Sequence, residues 1–183
     1  MLQRLILPAM LMLAATALPA HADQIACHGS DTHYVVLIAP SEDTLETRVL
    51  AGKRANPNAR IDCSAAVAAP INLTVPDTAV DFLGLSEHFL VLGEEGDSGS
   101  DMVIHDLDSG AELLRAAAED VFVDSSGAYF FEVLDTPASA KLCPEYDAIT
   151  AMGMAAALAE QRVYDFASGK VEKLEGTRCY ARA

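Results

Sequence analysis

From residue 34 onward, apolar and polar positions alternate in short stretches separated by Gly, Pro, Asn, Asp and Ser, the pattern of strands joined by turns. Tyr34 to Ile38 is a β-branched and aromatic run, and Leu45 to Leu50 alternates apolar with polar after the turn residues Pro40 to Asp43, so these two predict a hairpin. Residues 52–62, GKRANPNARID, read as a loop that holds three of the few cations. Ile71 to Val75 alternates again and stops at Pro76. A meander of four strands is then predicted: Val80 to Leu85, Phe89 to Leu92, Met102 to Leu107 and Ala111 to Leu114. Residues 93–101 read as a long polar loop between its second and third strands.

The same order recurs in Val121 to Val123, Tyr129 to Leu134, Arg162 to Phe166 and Lys170 to Leu174, giving repeat units of about 80–115 and 120–175. The sharpest common element is His105-Asp106-Leu107-Asp108-Ser109-Gly110 against Tyr164-Asp165-Phe166-Ala167-Ser168-Gly169. In both, Gly supplies the positive φ of a tight turn, and Asp and Ser can bond the turn's own amides. The element resembles the outer hairpin of a β-propeller blade, although two copies are too few to close a ring. The expected fold is therefore mainly β: antiparallel, four-stranded, blade-like sheets in an incomplete propeller-like arrangement. Between the second and third strands of the second unit lies an insertion, about 135–161. Its latter half, YDAITAMGMAAALAEQ, is rich in Ala, Met and Leu and predicts one α-helix, with Asp147 as N-cap, packed flat on a sheet.

Residues 1–22 carry one early cation, Arg4, an apolar run and a small-x-small ending at Ala20-His21-Ala22, the layout of a secretory signal peptide. Pro8 and the short run argue against a retained membrane anchor. The expected product is one exported, periplasmic, β-rich domain, residues 23–183. An exported chain with four cysteines, Cys27, Cys63, Cys143 and Cys179, is expected to form disulfides. Three pairings are open to four thiols. Cys27 and Cys63 lie in an N-terminal segment and Cys143 and Cys179 bracket a C-terminal one, which favours Cys27–Cys63 and Cys143–Cys179. Loss of Arg4 with the leader takes the formal charge from −15 to about −16. That field repels nucleic acid and anionic lipid and favours a basic protein partner.

Gly96-Asp97-Ser98-Gly99-Ser100 reads like the stretch around the nucleophile of chymotrypsin-like serine proteases. Such an enzyme needs a His base and an orienting Asp, and the chain ahead of Ser98 is too short for that double-barrel fold. A serine hydrolase using Ser98 is thus a minor alternative. Glu94, Glu95, Asp97, Asp101, Asp106 and Asp108 supply oxygen ligands, yet the Asp106 to Gly110 run sets Gly one place early for a Ca²⁺ loop and lacks the closing Glu. His88 and His105 read as surface or edge residues, and neither a metal-ligand spacing nor a cofactor motif occurs. The expectation is a non-enzymatic protein with no metal and no cofactor.

In leader, size, acidity and incomplete-propeller character the chain resembles the periplasmic immunity proteins that neutralise peptidoglycan-cleaving amidase effectors of type VI secretion systems. The resemblance implies an inhibitor that occludes a Cys-His active site with a polar loop. On this chain the matching candidates are Glu94, Glu95, Asp97, Ser98, Ser100 and Asp101 in the loop, with Asp108 and Ser109 in the following turn. An exported ligand-binding or structural β protein is the other alternative.

Overall fold

The computed structural model describes residues 25–40, 46–63, 69–96 and 99–182. The leader and Asp97-Ser98 lie outside them. Four strands, β1 (Ile25–Gly29), β2 (His33–Ile38), β3 (Arg48–Lys53) and β4 (Ile71–Asn72), form an antiparallel sheet in that order. The predicted hairpin is β2 against β3, in the register Val35↔Ala51 and Leu37↔Val49. β3 runs on through Gly52 and Lys53, so the cationic loop starts later than expected, and only Ile71–Asn72 of the run to Val75 is strand. Every residue of β2 from Val35 to Ile38 is buried. Val35 and Leu37 face the second sheet, whereas Val36, Ile38 and Leu50 pack beneath Cys27, Tyr34 and Ala69 on the other side. The Cys27–Cys63 disulfide fastens the segment after β3 to β1.

The second sheet is a seven-stranded antiparallel meander. Its strands are β5 (Val80–Ser86), β6 (Phe89–Gly96), β7 (Gly99–Asp106), β8 (Ala111–Val123), β9 (Gly127–Pro137), β10 (Ala155–Asp165) and β11 (Lys170–Arg182). Here the expectation of two separate four-stranded blades is corrected, because β8 belongs to both units. Its first half pairs β7 as far as Asp101↔Ala117, and its second half pairs β9 from Ala118↔Glu132. Just past this handover the register shifts between Glu119 and Phe122, and Asp120 adopts φ 50°. A bulge of this kind bends a strand and sharpens its twist. The Asp120 carboxylate is held from β11, accepting from Arg178 Nη1 at 2.6 Å and Tyr180 Oη at 2.8 Å.

The bend lays β9 and β10 over β6 and β7. Val91, Met102 and Ile104 then pack against Ala128, Phe130, Tyr164 and Phe166, while Leu90 and Leu92 pack against the first sheet. β6 and β7 are thus covered on both sides, which is why Leu90, Val91 and Leu92 are all apolar with no alternation. Where β5 and β8 cross, a Cβ on Gly84 would sit 2.5 Å from Val123 Cβ, so this glycine lets the strands meet.

Both copies of the shared turn are built alike. Gly110 (φ 73°) and Gly169 (φ 65°) donate to the Asp106 and Asp165 carbonyls at 2.7 and 2.9 Å. The Asp106 carboxylate accepts from the Asp108 amide at 2.8 Å and Ser109 Oγ at 2.9 Å, and Asp165 Oδ1 accepts from the Ser168 amide at 2.6 Å.

The one short helix expected in the insertion is present, at the start of the Ala-rich stretch. α1 covers only Tyr146–Ala151, with Glu145 rather than Asp147 at the N-cap. Gly153 (φ 78°) ends it, with the Met154 amide reaching back to the Ile149 carbonyl. From Ala155 the Ala-rich run is β10, hydrogen-bonded to β9 on one side and β11 on the other. Two ladders of tertiary hydrogen bonds outweigh the few tenths of a kcal/mol per residue, roughly, by which Ala and Leu prefer a helix. Cys143, just ahead of α1, is joined to Cys179 of β11. These two disulfides suit an oxidising, exported compartment. No helix among the described residues is long and apolar enough to cross a membrane.

Candidate functional site

The polar stretch 93–101 is a hairpin, not a loop. β6 continues to Gly96, β7 begins at Gly99, and the register runs Glu94↔Asp101, Glu95↔Ser100 and Gly96↔Gly99. Asp97 and Ser98 lie outside the described residues. Glu94 departs furthest from the sequence reading of a solvated acid: it is 5% exposed and lies on the face that carries Leu90 and Leu92. Its Oε2 accepts from Arg115 Nη1 at 2.7 Å, and its Oε1 is buried without a hydrogen bond.

Arg115 is the hub of this end. Its Nε and Nη2 grip Glu112 at 3.2 and 2.9 Å, and Asp101 lies 3.8 Å away. The grip holds the Glu112 carboxyl below its ordinary range. The β7 register sets His105 opposite Leu90 and beside Glu112 on β8. At 8% exposure it is a buried residue rather than the edge residue expected, and neither ring nitrogen has a hydrogen bond. Burial lowers its pKa, opposed by Glu112 and Glu94.

Asp108 and Ser109 lie at the far end of β7. The eight residues of β7 span roughly 25 Å, so the predicted partner-binding residues form two groups rather than one. Around Asp108 the two sheets meet. Lys53 from the end of β3 pairs with Asp108 Oδ1. His33, the first residue of β2, turns Nε2 toward the same oxygen at 3.7 Å, and His88 from the β5–β6 turn sets Nδ1 4.0 Å from Oδ2. His33 is 2% exposed, its Nδ1 lies 3.0 Å from Thr32 Oγ1, and its Nε2 has no hydrogen bond. Burial lowers the His33 pKa, with Asp108 opposing. The Lys53 ammonium holds the Asp108 carboxyl below its ordinary value.

Two histidines ahead of Ser98 in the chain have other contacts: His28 stacks on Phe82 with centroids 3.6 Å apart, and His33 belongs to the Asp108 cluster. Beside Lys53 opens a cleft of about 300 Å³ lined by Tyr34, Arg54, Arg60 and Ile61. Arg54 is committed to the backbone there, donating to the Ser30 and Ala59 carbonyls at 2.6 and 2.5 Å. Another, of about 450 Å³, lies beside the hairpin, with Glu95, Asp81, Phe82 and His28 in its wall.

Sequence reasoning passed over Arg115 and Glu112, took Lys53 only as one of three loop cations, and read His88 as a surface or edge residue. The scarcity of cations was a usable signal for Arg115, a lone cation in its stretch of an acidic chain, which meets Glu94, Asp101 and Glu112. Comparison of the chain with protein-family models, with curated proteins and with solved structures finds no match.

Proposed function

We propose that this is an exported, periplasmic inhibitor that works by binding, of the immunity kind, and that it shields the cell from a secreted cell-wall-degrading enzyme. The observation that carries the reading is the shape of the β6–β7 hairpin. β5 flanks it only as far as Val80↔Glu94, with one further bond from the Glu95 amide to the Ala79 carbonyl, and β8 flanks it only as far as Asp101↔Ala117. The rungs Glu95↔Ser100 and Gly96↔Gly99 therefore project past the body of the sheet. A narrow, acidic, glycine-edged finger on a disulfide-fastened scaffold suits insertion into a basic cleft, because a rigid binder loses little conformational entropy on docking. Burial of Glu94 against Arg115 anchors the base of the finger and leaves Glu95 and Ser100 exposed on it. The overall formal charge of −15 speeds the encounter with a cationic enzyme.

The test is binding of the leaderless protein to the Cys-His peptidoglycan amidases secreted by its own organism, followed by calorimetry and by turnover of purified peptidoglycan. One of them is expected to bind at nanomolar affinity and to lose activity. The double substitution E95K/S100R, on exposed rungs, is expected to weaken binding at least tenfold with the fold intact. Absence of a complex with every such enzyme, or full affinity in the double variant, overturns the proposal.

A further inference from the structure

The Asp108 cluster plays no part in that reading, and its composition is hard to explain as scaffolding. Its turn does not need Asp108. The matching turn in the second unit closes with the same bond from Gly169 to the Asp165 carbonyl, and its Asp165 carboxylate accepts from the Ser168 amide, yet it carries Ala167 where the first carries Asp108. What Asp108 adds is a carboxylate set between two imidazoles. The Asp108, Asp106 and His88 ligand atoms all lie within 4.8 Å of one another. His33 supplies an independent sign: a fully buried ring whose unbonded Nε2 faces the Asp108 carboxylate at 3.7 Å. In the tautomer whose Nδ1 donates to Thr32 Oγ1, Nε2 presents a lone pair toward the Asp108 carboxylate, and two acceptors then face each other across a gap that a cation would fill.

We propose that His33 Nε2, His88 Nδ1 and the Asp108 carboxylate, with Asp106 beside them, bind a divalent transition-metal ion such as Zn²⁺ and so clamp the first sheet to the second. Two imidazoles with one or two carboxylates are a ligand set typical of Zn²⁺, whereas Ca²⁺ and Mg²⁺ take oxygen ligands. The Thr32 hydroxyl fixes the His33 ring from its other nitrogen, as outer partners of metal-bound histidines do. Burial favours the neutral, metal-binding form of His33. Donors bound at about 2.0–2.2 Å to one ion must close on it from their present separations, up to 4.8 Å within the His88, Asp106 and Asp108 group, with His33 Nε2 outside that group and 3.7 Å from Asp108 Oδ1. Asp108 is partly exposed and can swing to meet it. Lys53 is the resident competitor, since its ammonium holds Asp108 Oδ1 and is itself largely exposed, free to swing away. The ligands come from β2, the β5–β6 turn and the turn after β7, so no short spacing along the chain announces them.

The experiment uses leaderless protein stripped with EDTA and dialysed, then titrated with ZnSO₄ by calorimetry in the presence of millimolar Ca²⁺ and Mg²⁺. One Zn²⁺ per chain is expected, with a rise in thermal midpoint, and Co²⁺ in its place is expected to give the visible absorption of a low-coordinate N/O site. His88→Ala and Asp108→Asn are each expected to weaken binding at least tenfold while the circular dichroism stays unchanged, and both positions are exposed enough to substitute without unfolding. Lys53→Met is expected to tighten binding several-fold. A general acidic surface would behave otherwise, because all three variants would then bind much as the wild type does. That outcome, or no stoichiometric binding in the wild type, overturns the proposal.

Discussion

Arg115 on β8 reaches across β7 to bond Glu94 on β6 at 2.7 Å, so the base of the projecting hairpin is tied to the strand that bends the second sheet. Glu94 is buried and its other oxygen has no partner, whereas Arg115 is 39% exposed. The cost of losing Arg115 therefore lies in the stranded carboxylate more than in the exposed cation. Arg115→Met is expected to lower stability by about 1–3 kcal/mol. The pair R115M/E94Q is expected to recover much of that loss. Urea midpoints of the four proteins in the cycle measure it, and equal losses in R115M and in the double variant refute the argument.

Gly84 carries a steric prediction. An added methyl meets Val123 at the crossing of β5 and β8, where neither backbone can retreat without disturbing its ladder. Gly84→Ala is expected to cost about 1–3 kcal/mol from overpacking. Val123→Ala in the same chain is expected to relieve most of that cost. Thermal or urea unfolding of the single and double variants reads the coupling directly.

Acid sensitivity follows from the buried imidazoles. Burial lowers the pKa of His105, His33 and His28 in the folded chain, so the unfolded chain takes up their protons first as the pH falls. Their contribution is complete above about 6.5 and is lost as the pH drops from there toward the folded values. Glu112, Glu94 and Arg115 face His105, and the two carboxylates moderate the effect without reversing it. Asp108 and Glu112, both lowered, add their own loss only at more acid pH, as it falls through their folded values. In metal-free buffer the urea midpoint is therefore expected to fall between pH 7 and pH 5, and His105→Gln is expected to flatten that slope.

Much of this architecture could be read from residue order, and the reasons differ by segment. β2, β3, β5, β6, β7 and β9 carry apolar runs bounded by turn formers, and the two Asp-x-x-Ser-Gly turns fold by bonds within six residues. The two disulfide pairings follow the division of the cysteines between the two ends of the chain. β10 was hidden because its alanines favour a helix locally, and only the neighbours β9 and β11 select a strand. The hairpin 93–101 was hidden because Glu94 owes its burial to an arginine 21 residues away. The Asp108 cluster was harder still, since His33, Lys53 and His88 reach it from separate segments.

From β5 to β11 each strand pairs with the one just before it in the chain. Apart from residues 138–154 between β9 and β10, the connections there are tight turns, so the entropic cost of closing long loops stays small and hairpins can zip onto one another in order of synthesis. A chain that closes two disulfides, as suits an oxidising, exported compartment, gains from this order. The two longest connections are of equal length, residues 54–70 before β4 joins β3 and residues 138–154 before β10 joins β9, and each carries one cysteine of a disulfide, Cys63 and Cys143.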